Sequence, residues 1–143
     1  MQYTPNDIQQ ILHCDSVINA ENSCIYYLST DTRTLLYPTE TLFFAITTPT
    51  ANGHNFIRNA YYTGVRNFVV STFADEYKTL DGANFYIVDN SVYALQTLAA
   101  DHRDRFHIPV IGITGSNGKT IVKDWIVQML SSTKNVVSSP KSF

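Results

Sequence analysis

Residues 108–130 read IPVIGITGSNGKTIVKDWIVQML, and this stretch decides the fold class. Its apolar run at 109–113 predicts a buried strand, and a glycine-rich turn follows directly. Apolar residues then recur at helical spacing, which predicts a helix from Lys119 to about Leu130. A strand, a glycine-rich turn and a helix in direct succession form one β–loop–α unit, the repeating element of α/β proteins.

The turn at 115–120, which reads GSNGKT, has the chemistry of a polyphosphate-binding loop. Glycines let consecutive backbone N–H groups turn inward, and the helix N-terminus adds about half a positive charge. Lys119 can reach the β- and γ-phosphates of ATP, and the hydroxyl of Thr120 can ligate Mg²⁺. We therefore expect an ATP site with catalytic roles for Lys119 and Thr120 and with Thr120 as the metal ligand.

The turn also has features of two other kinds of loop. A strict G-x4-G-K-[ST] loop would need glycine at Ile113, so an ordinary αβ turn with an incidental lysine stays open. Glycines 112, 115 and 118 are also spaced as GxxGxxG, but a dinucleotide fingerprint needs GxGxxG. It also needs an acidic residue about 20 positions further on, where this chain has Asn135 and two valines. A dinucleotide site is therefore rejected.

The residues before this unit also alternate between strand and helix patterns. Strands are predicted at 24–28, 42–46, 67–70 and 85–88. Helices are predicted from Pro5, from about Phe56 to a C-cap at Gly64, and after a cap at Asp89 or Asn90. Because the pattern restarts near His107, we expect two domains, 1–107 and 108–143.

Composition excludes several classes of protein. The 143 residues are 44% hydrophobic and 15% charged, with a net charge of −2, which is typical of a globular chain. A protein that binds nucleic acid normally has a basic face, and none is evident here. No signal peptide and no apolar run of about 20 residues is present, so we expect no membrane insertion. The cysteines Cys14 and Cys24 indicate a reduced, cytoplasmic protein, with a disulfide as the alternative.

Three segments resemble the Mur ligase family. Thr114 to Thr120 is similar to the ATP loop of these ligases and of their folylpolyglutamate synthetase relatives. STDTR at 29–33, followed by ETLFFAI at 40–46, resembles the uridine-nucleotide module of the MurE and MurF types. NGHNFI at 52–57 is similar to the D-G-H-x-F-I pattern of the MurF type. These segments cover nearly the whole chain in the family's order.

The resemblance implies an α/β fold with two parts: an N-terminal uridine-nucleotide-binding module, then the first β–P-loop–α unit of a truncated Mur ligase ATPase domain. The implied ATP-binding residues are Gly115, Ser116, Asn117, Gly118, Lys119, Thr120 and Ile121. The residues implied to bind the UDP moiety are Thr30, Asp31, Thr32, Arg33, Thr48, Asn52, Gly53 and His54. The chain departs from the family at Ile121, where many relatives have threonine, and at Asn52, where aspartate is usual.

The resemblance also implies an activity. The expected reaction is ATP-dependent addition of D-alanyl-D-alanine to UDP-N-acetylmuramoyl-tripeptide through an acyl-phosphate intermediate, in peptidoglycan precursor synthesis. The alternatives are a MurE-type ligase that adds one amino acid, or, for the 143 residues alone, a nucleotide-sugar binding module without turnover. Residues 123–125 and 139–143 resemble the MurF type that is fused to an alanine racemase domain.

The predicted helix after the ATP loop has an apolar face that one strand cannot cover. Ile121, Trp125, Ile126 and Met129 all contribute to this face. We therefore expect the chain either to self-associate through this unit or to fold the helix onto the N-terminal module. ATPase activity of the 143 residues alone is expected to be at background.

Overall fold

The computed structural model describes residues 2–17, 19 and 24–140, and it divides the chain into two compact units. The first unit is Met1–Phe106 and the second is His107–Phe143. Over the described residues, no helix is both long enough and apolar enough to cross a membrane.

The described strands of the first unit are β1 (Asp15–Val17), β2 (Tyr27–Ser29), β3 (Thr41–Phe44), β4 (Thr47–Thr48), β5 (Ala51–Asn52), β6 (Asn67–Val70) and β7 (Asn84–Ile87). Five of them form a mixed sheet in the order β1-β7-β6-β3-β2. Strands β2, β3, β6 and β7 run parallel, and β1 pairs antiparallel with β7. Strands β4 and β5 form a separate antiparallel hairpin. The predicted α/β fold class is therefore confirmed, and the sheet is mainly parallel.

The three α-helices in the described part of this unit begin and end at local signals in the sequence. They are α1 (Pro5–Leu12), α2 (Ile57–Thr63) and α3 (Ser91–Asp104). In α1, Thr4 and Asp7 form a reciprocal capping box. Helix α2 ends at Gly64, whose φ of 119° suits glycine. The side chain of Asn90 accepts hydrogen bonds from the first N–H groups of α3.

The sheet is covered on both faces, and its central strands β3 and β6 are buried throughout. All four residues of β3 and all four of β6 are buried. Phe43 and Phe68 pack on the face covered by α2, whereas Phe44 and Val69 pack on the face covered by α1 and α3. Continuous apolar runs are expected for parallel strands buried on two sides.

The start of the second predicted strand differs from the sequence prediction of 24–28. Ile25 exchanges two backbone hydrogen bonds with Tyr3 in an isolated antiparallel bridge. The parallel ladder with β3 begins only at Tyr27. The apolar run therefore pairs first with Tyr3 and then with β3. The amino-acid composition of the run does not reveal this change of partner.

The second unit contains α4 (Lys119–Leu130), with the predicted bounds. The strand predicted at 109–113 is wrong, because these residues form none. A strand needs a partner in a ladder, and no strand forms anywhere in the described residues 107–140. No residue of α4 is buried, and Trp125 and Met129 are 62% and 76% exposed.

Candidate functional site

The residues predicted to bind UDP follow two neighbouring strands at one edge of the sheet. Strands β2, β3 and β6 are parallel, so their carboxyl ends lie at the same edge. The segment 30–33 follows β2, and the segment 47–54 comes after β3. In open α/β sheets, ligands bind at the carboxyl ends of the strands. The predicted residues therefore lie where such a fold binds its ligand.

The segment after β2 is organised by Asp31. Its carboxylate accepts hydrogen bonds from the backbone N–H of Arg33 at 2.9 Å and from the guanidinium Nη2 at 2.6 Å. These bonds to Arg33 lower the pKa of Asp31 to about 2, so the carboxylate is ionised at all ordinary pH values. The side chain of Arg33 is nevertheless 86% exposed. Asp31 thus orients a cation that remains accessible to an anionic ligand.

Thr30 and Thr32 flank this ion pair. Thr30 is exposed at the bend after β2, and Thr32 begins a short 3-10 helix that Asp31 caps. The hydroxyl of Ser29 donates to the backbone carbonyl of Asp31 at 2.9 Å, which closes the turn. The conformation of the segment is therefore held by its own hydrogen bonds.

A small pocket lies beside this segment, and the sequence analysis did not assign it. It is lined by β2, by residues 34–37 and by Thr41, with a cavity volume of about 120 Å³. The rings of Tyr27 and Tyr37 stack at its side, with their centroids 4.9 Å apart. The sequence shows that both residues are tyrosines. Their stacking depends on the path of residues 30–37, which bring Tyr37 beside β2.

The segment after β3 is held by Asn52. Its Oδ1 atom accepts from the backbone N–H of His54 at 3.0 Å and from the hydroxyl of Thr47 at 3.2 Å. Gly53 is buried against the backbone of residues 45 and 46, and its N–H donates to the carbonyl of Ile46 at 2.8 Å. Only a residue without a Cβ fits there.

Thr48 and His54 have different places in this segment. Thr48 is exposed in the hairpin, where its hydroxyl accepts from the N–H of Ala51 at 3.0 Å. The imidazole of His54 extends to the end of β6, where its Nε2 atom lies 3.2 Å from the backbone nitrogen of Ser71. Burial lowers the pKa of His54. His54 therefore joins the ends of two parallel strands.

The predicted ATP loop forms a turn that opens α4. Gly115 and Gly118 have φ values of 152° and 79°, which favour glycine. No side chain caps the N-terminus of α4, and Nζ of Lys119 donates to the carbonyl of Gly115 at 2.8 Å. An uncapped helix N-terminus with a lysine folded over the turn suits a polyphosphate. The donor types that are present therefore fit ATP.

The other residues of the ATP loop lie on the surface of the second unit. Ser116 and Asn117 form the bend between the two glycines, and both are exposed. Thr120 and Ile121 are exposed in the first turn of α4. The hydroxyl of Thr120 is a suitable oxygen ligand for Mg²⁺. In the parts of the chain that the structure describes, no cluster of three or more His, Cys, Asp or Glu could hold a metal ion.

Curated relatives match most of this chain, although no protein-family model does. The UDP-N-acetylmuramoyl-tripeptide–D-alanyl-D-alanine ligase of Synechocystis is 37% identical over 126 residues, which are 85% of this chain and 26% of the relative. The ligase of the same name from Bacillus subtilis is 31% identical, over 86% of this chain and 26% of the relative. A UDP-N-acetylmuramoyl-L-alanyl-D-glutamate–2,6-diaminopimelate ligase from Oceanobacillus iheyensis is also 31% identical, over 81% of this chain and 24% of the relative.

Solved structures have the same fold. A crystal structure of MurF from Acinetobacter baumannii matches with a TM-score of 0.78 at 24% identity, over 93% of this chain and 28% of that one. MurF from Thermotoga maritima in complex with ADP matches with a TM-score of 0.65 at 24% identity, over 80% of this chain and 25% of that one. At this identity, the structural likeness shows the fold alone.

The chain belongs to the Mur ligase family, because the curated relatives that it matches are Mur ligases. Several of these relatives, from different bacteria, are of the MurF type. The chain spans about a quarter of the length of the curated relatives that it matches.

Proposed function

We propose that the first unit binds the uridine diphosphate end of UDP-N-acetylmuramoyl-tripeptide, and that the second unit supplies the ATP loop of a D-alanyl-D-alanine-adding ligase. The 37% identity to a ligase with that name is the observation that carries this proposal. The polar segments at the carboxyl edge of the sheet support it, because they offer hydroxyls and an exposed guanidinium to a diphosphate. The residues proposed to form this site are Thr30, Asp31, Thr32, Arg33, Thr48, Asn52, Gly53 and His54.

The proposed chemistry follows from the poor reactivity of a carboxylate. The terminal carboxylate of the peptide attacks the γ-phosphorus of ATP, which breaks the bond to the β–γ bridging oxygen and releases ADP. The amine of D-alanyl-D-alanine then attacks the carbonyl carbon of the resulting acyl phosphate, which breaks the bond from that carbon to the phosphate oxygen. The proton lost by the amine goes to the departing phosphate, so the products are the amide, ADP and hydrogen phosphate, and atoms and charges balance.

In this proposal the chain's own residues position and neutralise the phosphates. The ammonium group of Lys119 offsets the negative charge on the β- and γ-phosphates, and the loop N–H groups bind their oxygens. Mg²⁺, when bound, would offset charge on the same phosphates, with the hydroxyl of Thr120 as a ligand. The ADP-bound structure of the Thermotoga maritima MurF supports a nucleotide in this type of protein.

The choice of acceptor separates this proposal from its alternative. The diaminopimelate ligase among the relatives favours, as a second candidate, a ligase that adds a single amino acid. We expect the complete gene product to release phosphate from ATP when UDP-N-acetylmuramoyl-tripeptide and D-alanyl-D-alanine are both present. Phosphate release that instead needs UDP-N-acetylmuramoyl-L-alanyl-D-glutamate and diaminopimelate would contradict the MurF-type proposal. Binding of UDP without any turnover would indicate a nucleotide-sugar binding module.

A further inference from the structure

Both ring nitrogens of His54 have partners within the protein. The Nε2 atom lies 3.2 Å from the backbone nitrogen of Ser71, at the end of β6. The Nδ1 atom lies 3.0 Å from Oδ1 of Asn52 and 3.4 Å from the hydroxyl of Thr47. The imidazole therefore joins the turn at 52–54 to the end of the neighbouring parallel strand.

These contacts determine where the proton of the ring resides. A backbone N–H can only donate, so Nε2 must accept from Ser71 with its lone pair. A neutral imidazole has one N–H group, which must then be at Nδ1 and must donate to Asn52. No lone pair and no N–H of the ring is left for a ligand.

Protonation would disrupt this arrangement. A proton on Nε2 would place two N–H groups against each other at Ser71 and remove the link to β6. The groups that face the ring in the described structure, Thr47, Asn52 and Ser71, are all uncharged, and burial is the cause that lowers the pKa of His54. Nothing among them stabilises an imidazolium.

We propose that His54 is a positioning residue of the uridine-nucleotide site: its neutral imidazole fixes the turn at 52–54 onto β6 and makes no direct contact with the diphosphate. This inference rests on the proposed function and refines the role of one predicted site residue. The turn contains Asn52 and Gly53, so its position decides where their polar groups meet a ligand.

The positioning role and a direct-contact role predict opposite effects of pH. An imidazolium in contact with a diphosphate would strengthen binding as the pH falls. With a positioning imidazole, UDP binding would weaken as the pH falls, because protonation of the ring releases the turn. Since the terminal phosphate of UDP also takes up a proton near pH 6, the effect of His54 must be measured against a variant that does not titrate.

His54→Gln supplies that comparison. The amide oxygen of glutamine can reach the position of Nε2 and accept from Ser71, but it has no charge to gain. At pH 7.5 we expect the UDP affinity of this variant to be within about threefold of the wild type, whereas His54→Ala should lose about tenfold, the worth of one hydrogen bond. Asn55→Ala, at the exposed neighbouring position, is the control and should bind as the wild type does.

The test is a titration of the 143-residue chain with UDP at pH 7.5 and at a pH below the midpoint of the His54 ring's own titration, read from its ¹⁵N shifts. Acidification should lower the UDP affinity of the wild type by at least about threefold more than that of His54→Gln. Equal weakening of UDP binding in both proteins, or a relative gain by the wild type, would overturn the inference.

The ring ¹⁵N shifts of the unliganded chain give a second readout. They should show that Nδ1 is protonated, and the Ser71 amide should titrate with the ring. A proton on Nε2 would overturn the inference independently, whereas a failure of UDP to bind any of these proteins would overturn the proposed function.

Discussion

Replacing Lys119 by alanine in the complete gene product is expected to lower the rate of ATP-dependent amide formation by about 100-fold or more. The ammonium group lies over the turn, 2.8 Å from the carbonyl of Gly115, at the uncapped start of α4. It is the charge nearest to the proposed phosphates, where negative charge develops in the transition state. The measurement is phosphate release at saturating concentrations of ATP and both substrates.

Lys134→Ala is the matched control for this effect. Lys134 is an exposed lysine after the end of α4, outside the loop. Its removal changes the net charge equally, and the rate should change by less than about twofold. A Lys119→Ala protein with the activity of the Lys134→Ala control would contradict the proposed ATP loop.

Replacing Gly53 by alanine is expected to destabilise the first unit by about 2 kcal/mol or more, at the upper end of the cost of overpacking. A Cβ at this position would lie 2.5 Å from the backbone nitrogen of Ile46 and 2.6 Å from its carbonyl oxygen. Backbone atoms cannot rotate away as the end of a side chain can, so the turn must move. Urea denaturation followed by tyrosine fluorescence measures the loss.

Gly112→Ala is the control for this substitution. No atom lies within 4 Å of a Cβ built at Gly112, and its φ is not positive. Alanine there should change the free energy of unfolding by less than about 0.5 kcal/mol. If the two variants are equally stable, the close approach of Gly53 to the strand end is not a constraint on the fold.

The helices could be predicted from sequence because their ends are set by local residues. Asn90 caps α3 through its own side chain, and Gly64 and Gly118 supply the left-handed backbone at the end of α2 and the start of α4. Strand β6 was likewise predicted with its observed bounds, since a strand buried on both faces is a continuous apolar run.

The short pairings could not be predicted, because they depend on distant partners. Strand β1 has three residues, none of them buried, and it exists only through its pairing with β7. The converse error occurred at 109–113, where an apolar run predicted a strand that has no ladder. An apolar pattern indicates a preference for burial, and it does not supply the neighbouring strand.

The candidate site was predictable in its segments and unpredictable in its contacts. The sequence indicated residues 30–33 and 52–54, and the hydrogen bonds within these segments from Asp31 to Arg33 and from Asn52 to His54 span only two residues. The bond between His54 and Ser71 spans 17 residues and depends on the position of β6 beside β3. The stack of Tyr27 on Tyr37 likewise depends on the path of the intervening chain.

The central claim is that the first unit, and not the glycine-rich loop, recognises the uridine diphosphate. A titration of the 143-residue chain with UDP, followed through its backbone amide resonances, tests it most directly. The account predicts shifts at residues 30–33 and 52–54, with the affinity reduced about tenfold in Arg33→Ala. Shifts confined to residues 115–120, with no effect of Arg33→Ala, would mean that the loop binds any diphosphate and would contradict the account.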